Sequence, residues 1–177
     1  MPEWSTFYTM TGTSSATLTG LMFVVIGMVM QTNPERGSEN GIHVFSTPTV
    51  VHFGAALLAS ALLLAPWPNL HVPFVVIGAT GVAGALYMAR LMSRTRKLEE
   101  YRADIEDWIW YNVLPLAAYV LLALGGFSVF GTLHTAMYFV AADVLLLIFI
   151  AMRNSWDIVT FLAVREAKDR QEAQGDR

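Results

Sequence analysis

The chain has 177 residues, 55% of them hydrophobic and only 14% charged, with a formal net charge of −3. A soluble domain of this size would carry about 25% charged residues, and here the deficit is gathered into long apolar blocks, which excludes an ordinary soluble domain and points to a polytopic membrane protein. Cysteine is absent, which excludes disulfides, thiol redox chemistry and thiolate metal sites.

The amino terminus, "MPEWSTFYTMTG", has no Lys or Arg and carries Glu3. It lacks the basic region of a cleaved signal peptide, so the first apolar block is read as a retained helix. With about 20 predominantly apolar residues per span as the yardstick, the predicted fold is an all-α integral membrane protein. Its five transmembrane helices cover roughly 10–31, 49–66, 72–90, 108–131 and 133–152, one domain over 1–157, with a tail over 158–177.

In helix one, "GTSSATLTG" spaces Gly12, Ala16 and Gly20 at intervals of four, a face of small residues suited to close helix contact. "STPTVVHF" opens helix two, with Pro48 expected in the first turn and His52 about one turn inside. "PWPNLHVP" leads to helix three, where "GATGVAGA" sets Gly78, Gly81, Gly84 and Ala85 in two adjacent rows. Both small-residue faces are expected to make contacts within one bundle, with self-association as the alternative. The charged stretch "RTRKLEEYRADIED" offers Arg96–Glu100 and Arg102–Glu106 at i,i+4, a helical extension beyond the membrane. "EDWIWYN" opens helix four with Asp107, Tyr111 and Asn112, and a Gly-Thr turn joins helices four and five as an antiparallel hairpin. "MRNSWD" closes helix five with Arg153, Asn154 and Asp157. The apolar start of the tail, "IVTFLAV", is expected to pack on the 91–107 loop or lie along the membrane, and the polar end to be solvated.

With five spans, all 11 Lys and Arg fall in the 32–48 loop, around the 91–107 loop or after helix five, which is one side. The positive-inside rule then places the N-terminus outside and the C-terminus in the cytoplasm. Trp108, Trp110, Tyr111 and Trp156 mark the cytoplasmic interface and Trp67 the outer one, as aromatic belts do.

Asp143 falls near the midplane of helix five, where inserting an aspartate costs about 2.5–3.5 kcal/mol. Thr19, Thr80 and Tyr119 lie at the same depth, and Tyr119 is the natural partner because helices four and five are neighbours. The leading reading makes Asp143 a neutral acid hydrogen-bonded to Tyr119, tying the two helices together. The second makes it a proton or cation site. At the cytoplasmic end, His52, Asp107, Tyr111, Arg153 and Asp157 are candidates for one shallow pocket, with Arg153–Asp107 and Arg153–Asp157 as ion pairs. Interfacial anchoring by snorkelling side chains is the simpler account of the same residues. His52 and His134 differ in depth, which argues against a bis-histidine haem. No HExxH, Gly-x-Ser-x-Gly or Walker A motif occurs, so no cofactor or metal is expected.

"GTSSATLTGLMFVV", "TPTVVHFGAALL", "DWIWYNVLPLAAY" and "IAMRNSWDIV" together resemble a family of small bacterial polytopic inner membrane proteins that has no established activity. The resemblance spans most of the chain except the last twenty residues. It implies a bacterial inner membrane location and draws attention to Pro48, His52, Asp107, Trp108, Arg153, Asn154 and Asp157. The first functional expectation is an oligomeric channel or transporter with Asp143 as its responsive group and the His52/Arg153 cluster as its cytoplasmic mouth. The alternative is a non-catalytic interaction or regulatory subunit of a membrane complex, and a lipid-acting enzyme ranks third. The expected partners are the lipid bilayer and a second copy or another membrane protein, not nucleic acid.

Overall fold

The computed structural model describes residues 2–32, 40–95 and 105–175. Its elements are α1 (Pro2–Thr32), α2 (Asn40–Leu64), α3 (His71–Thr95), α4 (Ile105–Trp108), a π-helical turn (Ile109–Val113), α5 (Leu114–Phe127), a 3-10 turn (Ser128–Phe130) and α6 (Leu133–Gly175). Five helical segments are long and apolar enough to cross a membrane: Glu3–Met28, Thr47–Leu64, His71–Ser93, Glu106–Phe130 and Leu133–Phe161. The fourth of these joins α4, the π turn, α5 and the 3-10 turn into one rod. The predicted Arg96–Glu100 pair and Arg102 lie outside the described residues.

Three boundaries differ from the sequence reading. Helix α1 starts at Pro2 rather than near 10, because Trp4 and Tyr8 pack its first turns on the start of α6. Trp4 meets the Tyr138 ring edge-on at 4.9 Å, and the Tyr8 hydroxyl donates to the Met137 carbonyl at 3.2 Å. Intervening Ser and Thr residues hide this segment from hydropathy. Helix α2 starts at Asn40, so Pro48 sits inside it and not in its first turn. Membrane-type helices tolerate an interior proline where neighbouring groups satisfy the carbonyl it leaves free. Helix α6 runs unbroken for 43 residues, since no Gly or Pro interrupts it before Gly175. Its length of about 65 Å is roughly twice the hydrocarbon thickness of a bilayer.

The exterior is apolar: Phe23, Leu86, Leu124 and Phe149 are all more than half exposed. Such a surface reverses the soluble pattern and suits lipid. Inside, α6 contacts α1, α2 and α5, while α3 packs mainly on α5. The stripe Ala136, Val140, Asp143, Leu147, Ile150 and Asn154 is at most 2% exposed, so two polar residues share the helix's most buried face.

Glycine sets the α3–α5 distance. A Cβ on Gly81 would lie 2.7 Å from the Ala123 Cα and 2.8 Å from the Tyr119 carbonyl oxygen, and one on Gly126 would lie 2.6 Å from the Gly78 Cα. The two backbones therefore touch where side chains would normally hold helices apart. The small face of α1 is used differently: Gly12 packs against the Ser60 side chain, whereas Ala16 is exposed and Gly20 has open space beside it.

Candidate functional site

The bundle holds a buried polar centre drawn from three helices. Tyr119 is nearly fully buried on α5, and its ring lies directly on Gly84 of α3, where any Cβ would collide with it. From that seat the Tyr119 hydroxyl reaches His52 of α2, 3.0 Å from Nδ1. Both His52 and Asp143 are at most 2% exposed. Tyr111 meets Asn154 and Gly125 meets Val140 along the antiparallel pair of α5 and α6, so Tyr119 stands within about one turn of the level of Asp143. Tyr87 of α3 lies one turn beyond Gly84, on which the Tyr119 ring sits.

This arrangement corrects two expectations. The predicted Asp143–Tyr119 hydrogen bond is absent: the hydroxyl is engaged by His52, and neither Asp143 carboxyl oxygen has a hydrogen-bond partner among the described residues. Thr19 and Thr80, the other candidates, donate back to the Ser15 and Val76 carbonyls of their own helices. His52, for its part, does not line the pocket with Arg153. Its partner Tyr119 stands eight residues beyond Tyr111, about 12 Å along the helix, which removes His52 from the end of the bundle.

Ser15 of α1, which the sequence reading passed over, belongs near this centre. Tyr8 bonds Met137, an offset of 129, and Met22 clusters with Ala151 at the same offset, so α1 and α6 run in parallel register. Ser15 therefore stands level with Val144, beside Asp143. Its hydroxyl oxygen, like the His52 Nε2, is buried without a hydrogen-bond partner among the described residues. Burying such a group without a partner costs about 1–3 kcal/mol.

A second polar layer forms at the α4 end. Arg153 pairs with Asp157 as expected, but its partner from α4 is Glu106, at 3.1 Å, rather than the neighbouring Asp107. The guanidinium also stands 5.6 Å from the centre of the Trp110 ring. Asp107 lies half-buried one residue on, and Tyr111 donates to the Asn154 carbonyl at 3.4 Å.

The π turn explains the burial of Asn154. In that register the Leu114 amide donates to the Ile109 carbonyl, and the next carbonyl, Trp110's, would need an amide from Pro115. Proline has none. The Asn154 side-chain amide supplies the donor instead, 3.4 Å from the Trp110 carbonyl oxygen. Replacing Asn154 with leucine should therefore cost about 1–3 kcal/mol. Breaking the partly exposed Arg153 pairs with Arg153→Ala should cost less than about 1 kcal/mol. Thermal unfolding in detergent compares the two, and equal losses would refute the role given to Asn154.

At the opposite end a cavity of about 320 Å³ opens among Trp4, Leu63, Trp67 and Met137. Its Met137 wall lies six residues, about 9 Å, from Asp143 along α6. Trp67 closes the end of α2 by donating from Nε1 to the Leu62 carbonyl at 2.6 Å. His134 is exposed against Tyr138, far from His52. Among the described residues, no three His, Asp or Glu side chains gather as a metal set. Comparison with protein-family models, curated proteins and solved structures finds no match.

Proposed function

We propose that this chain is a multi-pass protein of a bacterial inner membrane, N-terminus outside and C-terminus inside, that conducts protons or monovalent cations as a homo-oligomer. The observation that carries the reading is Asp143, an acid buried among apolar helices beside the His52–Tyr119 pair, with neither oxygen hydrogen-bonded among the described residues. An acid whose work is to join helices is hydrogen-bonded, while one left open and buried fits a site that binds and releases an ion. The cavity near Met137 and the Arg153 layer are the natural approaches to this centre from the two ends. Orientation rests on the one-sided distribution of Lys and Arg.

The test is flux in vesicles of phosphatidylethanolamine and phosphatidylglycerol, comparing wild type with Asp143→Asn at equal protein content. Wild-type flux of protons or monovalent cations is expected, and Asp143→Asn should reduce it to the background of empty vesicles. Equal flux in both would remove Asp143 from the pathway.

An interaction or regulatory subunit is the second reading, favoured by the outward-facing Ala16 and Gly20 of α1 and by the continuation of α6 to Gly175. Purification in mild detergent with a stoichiometric foreign membrane protein, together with absent flux, would favour it.

A further inference from the structure

We propose that His52, Tyr119 and Asp143 form a proton relay with the Tyr119 hydroxyl as the link between acid and imidazole; this rests on the conducting reading above and names the proton as the species carried. The centre offers one carboxyl, one imidazole, the Tyr119 phenol and the nearby Ser15 hydroxyl, with no cluster of acids or histidines among the described residues. A hard cation needs several oxygen ligands at once. A proton needs only a sequence of donor–acceptor pairs, and one of them is already made at 3.0 Å.

The transfer balances. With His52 neutral and its proton on Nε2, protonated Asp143 first swings its O–H onto the Tyr119 oxygen, a hydrogen bond the resting geometry lacks, and that O–H bond then breaks as the proton passes across. The hydroxyl proton of Tyr119 moves to His52 Nδ1, where a new N–H bond forms. The imidazolium so formed turns about its Cβ–Cγ bond, gives the Nδ1 proton to a water molecule as that N–H bond breaks, and turns back with its Nε2 proton still in place. One proton enters at Asp143 and one departs at His52.

Three features fit this use. The Tyr119 ring is held on Gly84, so its hydroxyl has a defined place without a second tether. His52 Nε2 is not tied up by any partner among the described residues, which leaves the ring free to turn. Neither are the Asp143 oxygens, which receive the proton. Among the described residues, Tyr87 on α3 stands one turn beyond the Gly84 seat of Tyr119, and α1 brings the neutral Ser15 to this level.

The decisive variant is Tyr119→Phe, which keeps the ring on Gly84 and deletes the link. Full-length protein in the same vesicles is assayed for proton flux with an internal pH dye and for sodium and potassium flux with tracers. Proton flux in wild type is expected to fall to background in Tyr119→Phe and in His52→Gln, with unfolding temperatures close to wild type. Proton flux unchanged in Tyr119→Phe overturns the relay and leaves the conducting reading intact. Sodium or potassium flux that requires Asp143 but survives Tyr119→Phe replaces the relay with a cation site. If wild type carries no flux at all, the conducting reading fails. Infrared difference spectra after a pH jump in detergent then test the relay itself. A protonated-carboxyl band lost in Asp143→Asn should shift in Tyr119→Phe, and an unshifted band overturns the coupling.

Discussion

Gly81→Leu is expected to push α3 away from α5 and lower stability by about 3 kcal/mol, the upper range for overpacking a well-filled interface. A single methyl at this position already meets the Ala123 and Tyr119 backbone, which cannot turn aside as a side chain can. The damage should also reach the polar centre, because Gly84, one turn along the same face, seats the Tyr119 ring. Gly54→Ala provides the contrast. Gly54 has nothing within 4 Å of its added Cβ, so alanine there should be neutral or add about 0.5–1 kcal/mol through helix propensity. Thermal unfolding in one detergent compares the three proteins, and a Gly81→Leu protein as stable as wild type would mean that α3 and α5 do not touch at the glycines.

Asp143→Leu should raise the unfolding temperature while abolishing flux. Its carboxyl is buried with no hydrogen bond from the described residues, so an apolar side chain of similar size removes a desolvated polar group and adds packing. The expected gain is about 1–3 kcal/mol. A residue that holds two helices together would give the opposite sign, because its removal leaves a partner unsatisfied. Lower stability in Asp143→Leu would therefore restore the structural role and weaken the conducting one. Stability gained as activity is lost is the usual signature of a site kept for function.

The candidate site was only partly legible in the sequence. Asp143 stands out because one acid interrupts a long apolar run, and Tyr119 follows from matching depths along neighbouring helices. Depth matching also suggested that these two bond each other. The geometry pairs Tyr119 with His52 instead, since Gly84 fixes the ring and the long side chain carries its hydroxyl across to α2. Gly84 was visible as one member of a small-residue row, but nothing in its spacing says that it faces an aromatic ring. Glu106 and Asp107 are neighbours in sequence, and only the turn of the helix selects which of them reaches Arg153. Ser15 carried no signal, being one hydroxyl among many on α1.

Five apolar blocks, their separating turns and the stretch of small residues on helix three follow from local composition, because the length and polarity a membrane-crossing helix requires are properties of consecutive residues. The direction of each buried side chain does not. Whether His52 meets Arg153 or Tyr119, whether Asp143 finds a donor, and which carbonyl Asn154 serves depend on helix rotation, on the π turn before Pro115 and on how closely the glycines let α3 approach α5. Those are set by contacts between residues far apart in the chain, so only the packed bundle decides them.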